Sequence, residues 1–196
     1  RIIMKDTFIV GHSVHLRPVR ESDLPYFVQW VNDPDIRKYM LTRSPMTEMD
    51  EKEWIAKGAR SSRFPESVLL VIETKESEKP IGTIGLHNIN WIDRCATTGS
   101  MIGEVSEQRK GYATDAKMHV LKYAFDVLGM HKIISLAYAK NERSLAYSER
   151  CGYEREALFR EEVFLDGKWE DIVRLACFAE PWKEQWEHYV RSGFRL

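Results

Sequence analysis

The sequence predicts an α/β (α+β) fold, a mixed and mostly antiparallel central sheet of about seven strands flanked by helices. Three observations carry that prediction. Compact β-branched runs such as Val68-Leu69-Leu70-Val71-Ile72 recur between turn residues. Asp166-Gly167 stands between two long strand patterns and is a strong signal for a type I′ hairpin. Ala113, Ala116, Val120, Leu121, Ala124, Phe125, Val127 and Leu128 recur at the three-four spacing of one helix face.

Val14 and Leu16 alternate with polar residues up to Pro18, which reads as a first strand at or near an edge. Asp23 is placed to N-cap a helix that carries Leu24, Phe27, Val28 and Val31 on one face, with Pro25 tolerated in its first turn. Asn32-Asp33-Pro34 breaks that helix. Thr47 with Asp50 three residues on starts another, expected to run to about Arg60 through Trp54 and Ile55. The buried run at 68–72 gives a second strand and Ile81 to Leu86 a third, across a charged turn from Lys75 to Pro80. A loop from His87 to Asp93 leads to a fourth strand, about Cys95 to Val105.

After the central helix, Gly129 is a natural C-cap and Lys132 to Ala139 a fifth strand. Asn141 caps a short helix through Arg150, ended by Gly152. Strands from about Tyr153 to Leu165 and from Lys168 to Phe178 flank the Asp166-Gly167 turn. A last amphipathic segment, 181–191, carries Trp182, Trp186 and Tyr189, which either pack on the chain's own sheet or form a homodimer face. No repeat, linker or low-complexity tract interrupts the chain, so a single domain over 1–196 is expected, its core at about 12–178.

A length of 196 residues suits one generous domain with a real core. The net charge of −1 leaves no global field to hold nucleic acid or an anionic membrane. Cys95, Cys151 and Cys177 are widely spaced and odd in number, which fits neither a disulfide framework nor a zinc site. A reducing cytoplasm is the expected setting. No metal is expected, because the histidines are scattered without a ligand pair, and no apolar run approaches the ~20 residues of a membrane span.

The stretch that points to chemistry is Gln108-Arg109-Lys110-Gly111-Tyr112-Ala113. It follows the apolar run Ser100-Met101-Ile102-Gly103-Glu104-Val105, which reads as the end of a strand, and it opens the central helix. A tight turn between strand and helix aims free backbone N–H groups and the positive helix end at one point, where an anion fits. Gly111 has no side chain to keep a phosphate away. An ordinary strand-to-helix turn is the plain alternative. A nucleotide triphosphatase loop is excluded, because Tyr112 follows Gly111 where a Lys-Ser/Thr pair would stand.

The chain resembles the GNAT superfamily of acyl-CoA-dependent N-acetyltransferases. Gln108, Gly111 and Ala113 match its Arg/Gln, Gly, Gly/Ala spacing, and Asn141, Ser144 and Gly152-Tyr153 match its Asn-initiated helix and Gly-aromatic close. Trp30-Val31-Asn32-Asp33-Pro34 and the hairpin Asp166-Gly167-Lys168-Trp169-Glu170-Asp171 resemble the branch with ribosomal-protein-alanine, polyamine and amino-sugar acetyltransferases. The resemblance implies a V-shaped splay between the fourth and fifth strands. Backbone groups at Ile102, Gly103, Glu104 and Val105 would pair there with the pantetheine arm of acetyl-CoA. Main-chain amides of Arg109, Lys110, Gly111, Tyr112, Ala113 and Thr114 would hold its diphosphate, and Asn141 and Ser144 would lie along the thioester. The implied reaction moves an acetyl group to a primary amine by direct attack. Its acceptor would be a protein N-terminus, a polyamine or an amino sugar.

Two family positions are altered. A Tyr seven residues after the helix-opening Asn is replaced by Ser148, so the acid that protonates the thiolate falls to Ser148, then Ser144, then Tyr147. A Glu near the start of the fourth strand is replaced by Thr97. Glu104 is the nearest carboxylate to the loop, Glu161 and Glu162 lie near where some relatives place a Glu although Val163 occupies the aligned position, and Asp171 is expected to be structural. A water-mediated proton route is the default for the base. These changes also admit a non-catalytic acyl-CoA sensor or partner module. Between Glu21 and Glu53, eight acids (Glu21, Asp23, Asp33, Asp35, Glu48, Asp50, Glu51, Glu53) face four bases, an excess that suits a cationic acceptor unless helix first turns explain it.

Overall fold

In a computed structural model, which describes residues 6–40, 44–58 and 62–196, eight strands form. They are Ile9–Val10 (β1), Val14–Pro18 (β2), Val68–Thr74 (β3), Pro80–Asn90 (β4), Cys95–Ile102 (β5), Lys132–Tyr138 (β6), Glu154–Leu165 (β7) and Lys168–Phe178 (β8). The sheet runs in the order β1-β2-β3-β4-β5-β6-β8-β7. The strand beyond the expected seven is β1, too short at two residues to show alternation in sequence. Six helices accompany it among the described residues: Leu24–Asn32 (α1), Pro34–Arg37 (α2), Glu48–Gly58 (α3), Tyr112–Lys122 (α4), Glu142–Arg150 (α5) and Ala179–Arg191 (α6). Two compact units divide these elements, Arg1–His87 with Gly99–Val120 and Asn88–Thr98 with Leu121–Leu196.

In the first unit, β1, β2, β3 and β4 form an antiparallel meander. Its registers place Arg17 opposite Val71 and Val71 opposite Thr83, with Leu69 opposite Gly85. Directly opposed residues share a face, so Arg17, Leu69, Val71, Thr83 and Gly85 point the same way. That face receives α1, because Val71 packs in one cluster with Phe27, Trp30 and Ile36. Leu16, Leu70, Ile72 and Ile84 fill the other face and are buried.

Asp23 departs from the expected role. Its side chain makes no cap bond to α1. Instead the buried Arg17 guanidinium donates to both its oxygens, Nη1 at 2.7 Å and Nη2 at 2.8 Å, and Arg17 Nε donates to Glu73 at 2.6 Å. A planar fork meeting a carboxylate through two bonds outcompetes a cap that other groups can supply. Thr47 and Asp50 do form the expected reciprocal cap of α3, with Thr47 N to Asp50 Oδ2 at 2.9 Å and Asp50 N to Thr47 Oγ1 at 3.2 Å. The expected end of that helix near Arg60 lies outside the described residues.

In the second unit, β6 pairs with the start of β5 in parallel for three residues, Cys95–Lys132 to Thr97–Ile134. On its other edge β6 pairs antiparallel with β8 along its whole length, Lys132–Phe178 to Tyr138–Ile172. The β7–β8 hairpin closes on Asp166 and Gly167, at φ 50° and 80°, the doubly left-handed turn that Asp-Gly predicts. Between Phe159 and Val163 the β7 register shifts, and Glu161 stands at φ 50°. Asp171 Oδ1 accepts the Glu161 N–H at 2.8 Å, so the carboxylate is structural, as expected. The central helix is α-helical only to Lys122 and ends in one π turn, Tyr123–Val127, before Gly129 at φ 67°. Trp182 and Tyr189 are buried, and Trp182 Nε1 donates to Cys151 O at 3.1 Å, so the aromatic face of α6 is covered within its own unit. The three cysteines are free thiols. Among the described residues no helix is long and apolar enough to cross a membrane, and no cluster of three His, Cys, Asp or Glu side chains is arranged for a metal.

Candidate active site

The strand expected to reach Val105 stops at Ile102. The N–H groups of Gly103 and Glu104 both donate to Ile81 O, at 2.9 and 3.0 Å, and a 3-10 turn follows at Val105–Glu107. Those two amides are therefore already engaged within the fold. Trp30 explains why residue 103 is Gly: a Cβ there would lie 2.1 Å from Trp30 Cδ2. Gln108 Nε2 donates to Ile102 O at 3.0 Å and ties the loop back to the strand end.

Arg109 and Gly111 then take left-handed backbone angles, φ 66° and 87°. Alternation of this kind turns successive N–H groups toward one side, an anion-binding nest at a helix start. Among the described residues no acceptor takes the N–H of Arg109, Lys110, Gly111, Tyr112 or Thr114. A Cβ on Gly111 would meet nothing within 4 Å, so the space before the helix is open. Lys110 forms an ion pair with Glu107 at 3.0 Å, and that hydrogen bond raises the Lys110 pKa. Its charge stays at the loop at neutral pH.

Asp115 was not singled out in the sequence, yet it sets where this loop stands. Buried in the first turn of α4, its carboxylate accepts the backbone N–H of His12, Ser13 and Val14 at 3.1, 2.6 and 3.1 Å, and the Ser13 hydroxyl at 2.9 Å. The partners are more than 100 residues away in sequence, so no local pattern announces them. Glu104, the carboxylate nearest the loop, is half-buried and accepts from Ser106 Oγ at 3.1 Å.

In the second unit Asn141 Oδ1 accepts the Ser144 N–H at 3.1 Å and caps α5 as expected. Along that helix Ser148 is buried at 1% exposure, whereas Ser144 and Tyr147 are half-buried. Ser144, Tyr147 and Ser148 share a helix face by spacing, but only the first two present themselves at its surface. Glu161 and Glu162 are exposed in the β7 bulge.

The acids from Glu21 to Glu53 mostly have local employment. Asp23 holds Arg17, Asp33 caps α2 through the Asp35 N–H, Asp35 pairs with Lys38, Asp50 caps α3 and Glu21 pairs with Lys52. Glu51 differs. It is 3% exposed, its Oε2 has no hydrogen-bond partner among the described residues, and burial followed by the nearby Asp50 charge raises its pKa.

A family model for the acetyltransferase (GNAT) domain matches residues 13–154. The chain belongs to the GNAT acetyltransferase family. This GNAT chain is 27% identical over 167 residues to a spermidine N(1)-acetyltransferase of Vibrio cholerae, covering 85% of the chain and 93% of the relative. It is 31% identical over 102 residues to YdaF of Bacillus subtilis, a putative ribosomal N-acetyltransferase, covering 52% of the chain and 55% of that relative. The acetyltransferase fold is shared with the crystal structure of the Vibrio cholerae spermidine N-acetyltransferase in complex with CoA and spermine. The TM-score there is 0.79 at 24% identity, over 87% of this chain and 98% of that one.

Proposed function

We propose that this GNAT enzyme transfers the acetyl group of acetyl-CoA to a primary amine of a polyamine. The observation that carries the donor is the set of five main-chain N–H groups around 109–114 that have no acceptor among the described residues, at the start of α4. Such a run suits a diphosphate, and each charge-assisted bond is worth about twice a neutral one. The relatives that acetylate spermidine support the acceptor class.

Acetyl-CoA supplies an activated carbonyl as a thioester. The acceptor is an alkylammonium much like lysine, with a pKa of about 10.4, so freeing its lone pair near pH 7.5 costs roughly 4 kcal/mol. The neutral nitrogen then attacks the carbonyl carbon, the C–N bond forms, the C–S bond breaks and the thiolate takes a proton. Of the three α5 hydroxyls, those of Tyr147 and Ser144 are half-buried and that of Ser148 is buried, which favours the first two as donors of that proton.

A panel of amines with acetyl-CoA tests this reading through release of free thiol. Spermidine is expected to turn over faster than an amino sugar or a peptide with a free N-terminus. Background thiol release with every amine, while calorimetry still registers CoA binding, would leave a binding module in place of an enzyme.

A further inference from the structure

Among the carboxylates weighed as the base, Glu104 accepts from Ser106, and Glu161 and Glu162 are exposed in the bulge of β7. His87, in the first unit, has the chemistry. His87 follows Gly85 by two residues on β4, hence on the sheet face that α1 covers. Its imidazole lies over two positions without side chains. A Cβ on Gly85 would stand 3.0 Å from His87 Nε2, and one on Gly99 of β5 would stand 3.5 Å from the same atom. At Gly99 that ring is all a Cβ would meet within 4 Å, and Gly99 itself is exposed. The Nε2 edge of a half-buried imidazole therefore lies beside the exposed backbone of Gly99.

Among the described residues His87 has no hydrogen bond, ion pair or ring contact. Burial lowers its pKa from 6.5, and no charged neighbour on any packed element adds to the shift. It is thus neutral at pH 7, with a ring nitrogen able to accept. Gly99 stands four residues before Gly103 on the chain that leads into the N–H loop, about 13 Å at the rise of an extended strand. A pantetheine arm running back along β5 from the loop covers such a distance.

We propose that His87 is the general base, Nε2 taking the proton from the acceptor nitrogen as it bonds to the thioester carbon. The inference rests on the acetyltransferase reading above. The balance is simple. A neutral amine, a thioester and a neutral imidazole enter. As the C–N bond forms the nitrogen becomes strongly acidic, its proton passes to Nε2, and the C–S electron pair leaves as thiolate. Amide, imidazolium and thiolate result, and proton return through solvent gives thiol and neutral His87.

The test is His87→Gln with spermidine and acetyl-CoA, followed by thiol release across pH. A general base contributes typically 10²–10⁴-fold, so kcat is expected to fall about 100-fold or more, with CoA affinity by calorimetry unchanged within about twofold. The wild type should lose kcat on the acid side at a pH below 6.5. In H87Q that limb should vanish and activity should climb with pH toward the amine's own ionisation. If H87Q weakens CoA binding, His87→Asn repeats the comparison with a smaller side chain. An active wild type whose kcat and pH profile survive both substitutions overturns the role of His87 alone. A wild type that acetylates no amine overturns the functional reading, and the base with it.

Discussion

Single side chains are legible in a sequence when their partners are close along the chain. Thr47 and Asp50 cap each other across three residues, and Asn141 caps Ser144 across the same gap, so both are readable. Asp23 is not, because the group that captures it is a buried guanidinium on β2 that also reaches Glu73, 56 residues beyond Arg17. Asp23→Ala should therefore destabilise by about 3–5 kcal/mol, the range for stripping one partner from a buried ion pair, as measured by urea unfolding. Glu51 makes the opposite case. Its folded pKa lies above the ordinary 4.5, so ionisation destabilises the fold once pH passes 4.5, and the penalty is absent below that. Glu51→Gln should gain about 1–2 kcal/mol at pH 7 and nothing at pH 4, readable as a Tm difference that closes on acidification. Among the α5 hydroxyls, burial sets the order that spacing alone left open. Tyr147→Phe is expected to lower kcat about tenfold or more with little change in acetyl-CoA affinity, and Ser148→Ala to leave kcat within about threefold. The reverse ranking in steady-state kinetics would return the acid role to Ser148.

Elements are legible where a local period or turn chemistry dictates them, and less so at their ends. The 113–128 helical face and the Asp-Gly hairpin were both readable, yet the central helix closes in a π turn at Tyr123–Val127 and β5 stops three residues early. The second difference matters for function. The residues 103–105 look like a strand because they are apolar and extended in pattern, but Ile81 O draws in two successive N–H groups and turns the chain. What emerges from that turn is the loop whose left-handed residues, Arg109 and Gly111, aim the free amides. Gly111→Val should abolish CoA binding in calorimetry, since a β-branched residue resists φ 87° and its side chain would fill the open space before α4. Gly111→Ala, strained by roughly 1–2 kcal/mol at a left-handed position, should bind CoA more weakly and still measurably. Normal affinity in the valine variant would move the diphosphate elsewhere. Asp115 acts at this scale too, because its carboxylate fixes the first turn of α4 to the Gly11–Val14 turn through four bonds.

At the scale of the whole molecule, the strand and helix patterns anticipated the architecture, while the division of the chain was out of reach. Compactness depends on contacts between distant segments, which no window of sequence reports. Neither compact unit is a continuous stretch: the chain passes between them at His87–Asn88, Thr98–Gly99 and Val120–Leu121, within β4, within β5 and within α4. A strand cannot melt in one half and keep its register in the other without exposing paired backbone groups, and an α-helix is equally cooperative across a junction. We therefore expect one calorimetric transition for the full chain, with van't Hoff and calorimetric enthalpies equal. The same interleaving predicts that residues 121–196 alone, which lack the β5 partner of β6, stay unfolded when expressed. Two resolved transitions, or a folded 121–196 fragment with dispersed NMR signals, would make the units independent domains that happen to share a chain.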